Sequence, residues 1–282
     1  MKIVTYISQK KLVHIAFFFL AFFTLSCEDV INVPLTTAPP RLVVDASINW
    51  EKGTTGATQK IILSTTTDYY GTVIPPVSGA TVKVTNSSKT IFSFIENGTT
   101  GEYICTNFEP KIGETYVLEI VYKSEIYTAT ETMQSVSKIT KISQKSDGGI
   151  LKDQYEVAFY FFDPATITNY YLSEIIPNYL KVSTFIVSDD RFTDGKENSE
   201  IYSDKDLKPG NTVTFSHSGI SKSYYNYMSV LTSIAGSSGG GGPFQTPPAT
   251  VRGNVINQTK TDNYPLGYFS ISETEKIVYT IK

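Results

Sequence analysis

Alternating apolar and polar residues predict that most of this chain forms β-strands. From residue 42 to residue 50, apolar side chains fall on one face, and the polar residues Asp45, Ser47 and Asn49 fall on the other. A period of two is the pattern of a half-buried strand. The alternation recurs near residues 80–84, 116–122 and 126–130, with glycine, asparagine and proline between the runs. We therefore predict a β-sandwich of about seven strands over residues 41–134.

The second half of the chain, residues 135–282, is also predicted to be rich in strands. Residues 155–162 are apolar on both faces, which is typical of a central strand covered on two sides. Five further strands are predicted, near residues 170–176, 180–187, 212–215, 266–271 and 276–281. The fold class expected for the whole chain is all-β, with two sandwich domains.

One segment has the period of a helix rather than that of a strand. Its apolar residues are spaced four, three, four and three apart, and they are Ile220, Tyr224, Tyr227, Leu231 and Ile234. Ser218 or Ser221 can supply the N-cap, and Gly236 can end the helix. We predict one helix near residues 220–235, packed on the second sandwich.

The segment from Ser237 to Pro248, SSGGGGPFQTPP, predicts a loop, because this composition does not hold regular structure. Two interpretations stay open. The segment is either a slack linker or a partner-binding loop. In the second case the apolar group that binds the partner is Phe244, on a flexible stem of Gly239, Gly240, Gly241 and Gly242.

The N-terminal residues predict export and lipid attachment. Lysines precede a short apolar run that ends before Cys27, which is the pattern of a secretory signal over residues 1–26. The run is shorter than the roughly 20 residues that a spanning helix needs. Thr24-Leu25-Ser26-Cys27 resembles a bacterial lipobox, so we expect a lipid on Cys27 and an extended tether over residues 27–40. The alternative is ordinary cleavage that leaves a free thiol.

Composition narrows the class of partner. The formal net charge is −3, and no dense basic cluster comes after the signal, which argues against binding to nucleic acid. The only cysteines are Cys27 and Cys105, so a lipidated Cys27 leaves no intramolecular disulfide. Cys105 alternates with Tyr103, which favours a buried small hydrophobe over a nucleophile.

Candidate chemistry is sparse, and no cofactor is expected. His217 is the only histidine after the signal, and no motif for a nucleophile accompanies it. The sequence therefore favours a non-enzymatic protein. The segment SDDRFTDGKENSE places Asp189, Asp190 and Asp194 in one predicted loop. These carboxylates are candidate ligands for a cation such as calcium, and the alternative is a solvated turn.

Several segments occur together in the order and spacing of a known family. They are RLVVDASI, SGATVKV, GETYVLEI, FFDP, SDDRF, YYNYMSVL, GGPFQTPPATVRGNV and LGYFSIS. In these segments the chain resembles DUF4249, a family of Bacteroidota lipoproteins of unknown function. The resemblance covers nearly all of the chain after residue 26 and implies no catalytic residues. The resemblance implies a gene that often lies beside one for a TonB-dependent receptor. By fold analogy, the first sandwich also looks Ig-like or prealbumin-like.

We therefore expect an outer-membrane lipoprotein, on the surface or the periplasmic side, that serves as an accessory or binding subunit of a TonB-dependent receptor. Two alternatives stay open. One is an independent surface adhesin or glycan-binding module, which needs no neighbouring receptor gene. The other is a hydrolase, which would require His217 to lie in a cleft beside a carboxylate and a hydroxyl group.

Overall fold

Strands dominate the part of the protein that the computed structural model describes, which is residues 38–68, 71–236 and 251–282. The strands are β1 Leu42–Glu51, β2 Gln59–Thr65, β3 Thr81–Asn86, β4 Ile91–Glu96, β5 Glu102–Cys105, β6 Thr115–Tyr122, β7 Glu125–Thr132, β8 Ile139–Gly148, β9 Gln154–Phe162, β10 Tyr170–Pro177, β11 Thr184–Asp189, β12 Glu197–Asp204, β13 Thr212–Gly219, β14 Ile256–Asn257 and β15 Leu266–Thr280. The helix described, α1, is Lys222–Gly236. The predicted all-β class and the predicted helix are confirmed.

Twelve strands form one large sheet in the order β11-β10-β13-β15-β1-β2-β5-β4-β3-β6-β7-β14, and β12-β9-β8 form a second sheet. Neighbouring strands are antiparallel, with the exception of β1 and β15, which are parallel. The tight connection between β6 and β7 is made by Lys123 and Ser124, which both have positive φ (50° and 63°). Positive φ at both central residues fits the right-handed twist of a two-residue hairpin.

In the first core, two parts of the large sheet face each other. Val44, Leu63 and Tyr103, from β1, β2 and β5, belong to one buried cluster with Val84 and Leu118, from β3 and β6. Alternate residues of a strand point to one side of its sheet. The large sheet therefore folds over on itself through β4 and β5, and its inner faces form a sandwich.

In the second core, the small sheet packs against the other end of the large sheet. The ring of Phe159 in β9 stacks on that of Phe215 in β13, with centroids 4.1 Å apart and planes within 5°. β9 is the central strand of its sheet, as its two apolar faces predicted. The buried side chains of this core are Ile139, Val157, Phe159, Ile175, Tyr202, Leu207, Val213, Phe215 and Ile281.

Strand β15 contributes to both cores. Phe269 and Ile271 lie in the first core, and Ile277 packs against the second. The prediction of two separate strands, at 266–271 and 276–281, is therefore wrong. The polar residues between them stay in the strand because Glu273 is paired: its carboxylate accepts a hydrogen bond from the Val136 amide (2.9 Å) and lies 3.3 Å from the Lys52 ammonium.

Two other predicted boundaries need correction. The strand expected over residues 180–187 begins only at Thr184, because Leu180 lies in a turn where its amide donates to the Pro177 carbonyl (3.2 Å). The acidic segment expected to form one loop is bounded by strands, since Asp189 ends β11 and Glu197 begins β12.

Residues Pro40–Lys282 form one compact unit, and of the unit Met1–Pro39 only residues 38 and 39 are described. The predicted division into domains at 41–134 and 135–282 stays a prediction. Within the described ranges, no helix has both the length and the apolar character needed to cross a membrane.

Candidate functional site

A cleft of about 840 Å³ lies between α1 and the outer face of the large sheet. Its floor begins with the residues of β1 that point away from the first core, which are Val43, Asp45, Ser47, Asn49 and Glu51. The sequence predicted that Asp45, Ser47 and Asn49 share the polar face of this strand, and the structure confirms it. That polar face is one wall of a concave site rather than open surface.

The floor continues across β15, β13 and β10, because the strand register aligns their outward-facing residues. Asp45 lies beside Tyr268 in the parallel pair of β1 and β15. Lys276 lies beside Ser216, and Ser216 lies beside Glu174. Small hydroxyl side chains cover much of the remaining floor, and they are Ser47, Ser218, Ser272 and Thr274. The floor therefore carries polar groups on four neighbouring strands, and Val43, Leu172 and Phe185 add apolar surface.

The roof is the apolar face of α1. It consists of Tyr224, Tyr227, Met228, Leu231 and Thr232. An apolar helix face in a globular protein ordinarily packs on an apolar sheet face. The opposing sheet face carries many polar side chains here, and Leu231 keeps 37% of its surface exposed. The helix therefore covers a space within the size range of small-molecule sites.

The N-terminus of α1 is fixed to the large sheet. Ser221 caps the helix by accepting a hydrogen bond from the Tyr224 amide (3.2 Å), and it donates to the Glu131 carboxylate of β7 (3.0 Å). Burial raises the pKa of Glu131. The other predicted cap, Ser218, lies in β13 and shares a hydrogen bond with the Thr274 hydroxyl (2.8 Å). Ser221 is therefore the N-cap, and the roof has a defined position over the floor.

Three tyrosine rings meet at one end of the cleft. The Tyr268 ring centroid lies 4.7 Å from that of Tyr224 and 4.8 Å from that of Tyr227. Burial raises the pKa of both Tyr224 and Tyr227, and the negative charge of Asp45 raises it further. Asp45 is the strand-register neighbour of Tyr268, so it lies at the end of the cleft where the three rings meet.

The cleft contains more acidic than basic side chains. Asp45, Glu51 and Glu174 line it together with a single lysine, Lys276. The Lys276 ammonium is 3.9 Å from the Glu51 carboxylate, and both side chains are about half exposed. An exposed pair at this distance contributes little to stability. The field in the cleft is therefore negative, which favours positively charged groups and hydrogen-bond donors.

The acidic segment forms a different carboxylate cluster from the one predicted. Asp190 and Asp194 join Asp163, and their carboxylate oxygens lie within 4.8 Å of one another. Asp189 instead accepts hydrogen bonds from Arg191 Nε and from the Tyr225 hydroxyl, both at 2.8 Å. A weak signal for Asp163 is present in the sequence, in FFDP, because this residue comes directly after β9.

Two of these clustered carboxylates, Asp190 and Asp194, already close a loop. The Asn169 amide donates to Asp190 (2.6 Å), and the Thr166 amide donates to Asp194 (2.8 Å). Burial raises the pKa of Asp163, and the charges of Asp190 and Asp194 raise it further. The cluster holds the β9–β10 loop against the β11–β12 turn, and cation binding there stays a prediction.

The side chain of His217 lies in the protein interior. It is 0% exposed, and its Nδ1 shares a hydrogen bond with the Ser173 hydroxyl (2.9 Å). The rings of Phe161 and Tyr171 lie 4.1 and 4.8 Å away. Burial lowers the pKa of His217 to about 3. Ser173 is also 0% exposed, so this serine–histidine pair is not accessible to a substrate in solution.

Cys105 is 1% exposed, and burial raises the pKa of its thiol, in agreement with the predicted small hydrophobe. Two predicted sites lie outside the described residues. They are Cys27, where a lipid is predicted, and the candidate partner loop with Gly239, Gly240, Gly241, Gly242 and Phe244.

Comparison with known proteins gives a family and distant structural similarities. The sequence profile of a family described as "Domain of unknown function (DUF4249)" matches residues 28–277. No curated protein matches the chain. A segment of two fibronectin type-III domains from chicken tenascin is 14% identical, with 64% of this chain and 90% of that one covered and a TM-score of 0.21. A DUF4785 family protein from Legionella pneumophila is 11% identical, with 64% of this chain and 51% of that one covered and a TM-score of 0.25.

Proposed function

The chain belongs to the DUF4249 family, and on that basis we propose that it is a lipid-anchored, non-enzymatic binding protein of the outer membrane that serves a TonB-dependent receptor. The observation that carries the binding role is the cleft beneath α1, where an apolar helix face lies over a polar sheet face. The receptor as partner rests on the family resemblance.

The segment of the chain that precedes β1 supports an anchored role. Residues 28–40 lie between the lipobox and β1, the strand that forms the cleft floor. A fully extended segment of this length reaches roughly 45 Å. The tether would let the folded part reach a neighbouring protein in the same membrane while a lipid on Cys27 holds it there.

The interior position of His217 supports a binding role over hydrolysis. A hydrolase of the serine–histidine kind needs its hydroxyl and its imidazole beside a bound substrate. Ser173 and His217 are instead enclosed by aromatic rings in the core. The carboxylates that do line the cleft provide charge and hydrogen-bond acceptors for a ligand.

The anchor and the partner are tested together by Cys27→Ala in the native host. We expect the wild-type protein to fractionate with outer membranes and to co-purify with the receptor encoded beside it. The variant should leave the membrane fraction and lose the receptor. Membrane retention of the variant would contradict the lipid anchor, and absence of the receptor from wild-type preparations would contradict the accessory role.

The role of the cleft is tested by filling it. Ser47→Trp places a large side chain on the floor, and Ser93→Trp places one on an exposed outward position of β4, which makes it a matched control. We expect only Ser47→Trp to abolish receptor-dependent nutrient uptake, with both variants still membrane-bound. Equal uptake by the two variants would remove the cleft from the proposed function.

A further inference from the structure

We propose that the cleft binds an organic ammonium ion, with the charged group at Asp45 beside Tyr224 and Tyr227. This inference rests on the proposed function, since it names the class of ligand for the same cleft. Asp45 points into the cleft from β1, and Tyr268 lies next to it in the strand register. The two helix tyrosines close the same end of the cleft from above.

Asp45 is the carboxylate of the cleft that is best placed to receive a cation. Glu51 lies near the Lys276 ammonium, and Glu174 accepts a hydrogen bond from the Ser183 hydroxyl (2.6 Å). Asp45 accepts a bond of 3.1 Å from Ser47, two residues away on its own strand. Among the described residues, no lysine or arginine forms an ion pair with Asp45.

The tyrosine rings add a second attraction for a cation. The face of an aromatic ring attracts an ammonium group, by about 0.5–2 kcal/mol depending on how far the pair is desolvated. Tyr224 and Tyr227 are both partly buried, and both rings pack on Tyr268, the strand-register neighbour of Asp45. A carboxylate beside two ring systems selects a cation over an anion, and it also selects a cation over a neutral molecule of the same shape.

The rest of the cleft indicates the shape and polarity of the ligand beyond its charged group. Met228 and Leu231 extend the apolar roof away from the tyrosines, while serine and threonine hydroxyls extend the floor. Methionine adapts its shape to different apolar partners. The outward residues of β1 from 43 to 51 span roughly 26 Å. The geometry therefore suits an elongated amine with an apolar body and polar groups along one edge.

The test uses the full lipidated chain in detergent and a matched pair of probes, 1,8-diaminooctane and 1,8-octanediol. The two probes have the same body, and only the diamine is charged. Calorimetric titration should detect the diamine at one site and should detect no binding of the diol. Raising the salt from 50 to 500 mM should weaken diamine binding several-fold, because salt screens charge attraction.

Substitutions locate the site. We expect Asp45→Asn to weaken diamine binding about fivefold, the upper end of what a solvated ion pair contributes. Asp153→Asn, at an exposed position between β8 and β9, is the control and should bind like wild type. Tyr227→Leu should weaken binding about threefold and Tyr227→Phe should not, because the attraction comes from the ring and not from the hydroxyl.

Three outcomes would overturn the inference, and each leaves the proposed function separately testable. Equal binding by the diol, or salt-independent binding of a neutral oligosaccharide such as maltohexaose, would mean that the ligand is uncharged. Wild-type affinity in Asp45→Asn would mean that the ammonium site lies elsewhere. Failure of the wild-type protein to bind the diamine, with receptor co-purification intact, would remove the ligand class and leave the accessory role standing.

Discussion

The first core and the second core differ in where they hold polar side chains. In the first, buried polar groups such as Glu114 and Glu125 lie beside connections between strands and hold those connections in place. Beside the second core, His217 and Ser173 are fully buried, and the rings of Phe161, Tyr171 and Phe215 surround the imidazole. The first core resembles a simple sandwich interior, whereas the second carries an ionisable group that the fold keeps neutral.

This difference affects how each region responds to acid. A buried imidazole must stay neutral for the second core to form, so protonation of the unfolded chain competes with folding. A carboxylate at the edge of the first core is stabilised in its charged form by hydrogen bonds and a lysine. The same fold therefore contains two acid-sensitive groups with opposite preferred charge states, and the pH ranges in which they act differ.

The largest expected effect tests whether the two cores unfold together. Phe159→Ala in the second core and Phe92→Ala in the first each remove a fully buried ring, which costs about 3–5 kcal/mol. Because β15 packs in both cores, we expect each variant to unfold in one transition seen equally by fluorescence and circular dichroism. Two separated transitions in Phe159→Ala would mean that the cores are independent.

His217 should make the second core sensitive to mild acid. Its pKa is about 3 in the folded state against an ordinary 6.5, so the unfolded chain binds a proton first. Stability is therefore lost as the pH falls from about 6.5 towards 3, by about 2 kcal/mol between pH 6.5 and 5. In His217→Leu this dependence of stability on pH should disappear. The variant should also lose about 1 kcal/mol of stability at pH 7, because the Ser173 hydroxyl loses its hydrogen-bond partner.

Urea unfolding at pH 7 and pH 5 measures the effect of His217. Ser173→Ala is the control, because it removes the hydrogen-bond partner and keeps the buried imidazole. It should therefore retain the wild-type slope between the two pH values. An unchanged slope in His217→Leu would show that folding does not lower the pKa of the imidazole.

Glu125 should affect the stability of the first core, and it should do so at lower pH than His217. Lys260 and the Tyr127 hydroxyl lower the pKa of Glu125 to about 2 from an ordinary 4.5, and Asn257 and Asn263 add to this. The contribution of Glu125 to the free energy of unfolding is present above pH 4.5 and is lost as the pH falls towards 2. Glu125→Gln should cost about 2 kcal/mol at pH 7 and almost nothing near pH 2.

The matched control for Glu125 is Glu119→Gln, which removes a more exposed ion pair with Lys83. That variant should lose at most about 1 kcal/mol at pH 7. Denaturant unfolding of both variants across this pH range is the measurement. Equal losses would mean that the hydrogen bonds to Glu125 contribute no more than a surface pair does.

The smallest expected effect concerns calcium. The loop amides already donate to Asp190 and Asp194, so we expect thermal midpoints with calcium and with a chelator to agree within error. A saturable rise of several degrees, lost in Asp190→Asn with Asp194→Asn, would instead show that the cluster with Asp163 binds a cation.

The sequence predicted both walls of the cleft but not the cleft itself. The polar face of β1 is evident from its alternation, and the roof of α1 is evident from the spacing of Tyr224, Tyr227 and Leu231. That the two faces oppose each other depends on the pairing of β1 with β15, about 220 residues along the chain. Local patterns carry no information about such a pairing.

The carboxylate cluster shows the same limit. Asp190 and Asp194 could be found because they are close in sequence, whereas Asp163 enters from another loop and has only the weak signal of its place after β9. Asp189 was grouped with them by proximity alone, whereas β11 directs it towards Arg191 and Tyr225. The buried position of His217 could not be predicted, because TFSHSG alternates without showing which face is covered.

The parallel pairing of β1 and β15 also affects the order in which the chain can fold. A ribosome delivers β1 among the first strands and β15 last, so β1 lacks one of its two neighbours through most of synthesis. Contacts between such distant segments require closure of a very long loop, which is associated with slow folding. Until β15 arrives, one edge of β1 is unpaired and prone to pair with other chains. The rate-limiting step of folding should therefore be the docking of β15, and a chaperone that delays collapse until then should raise the yield.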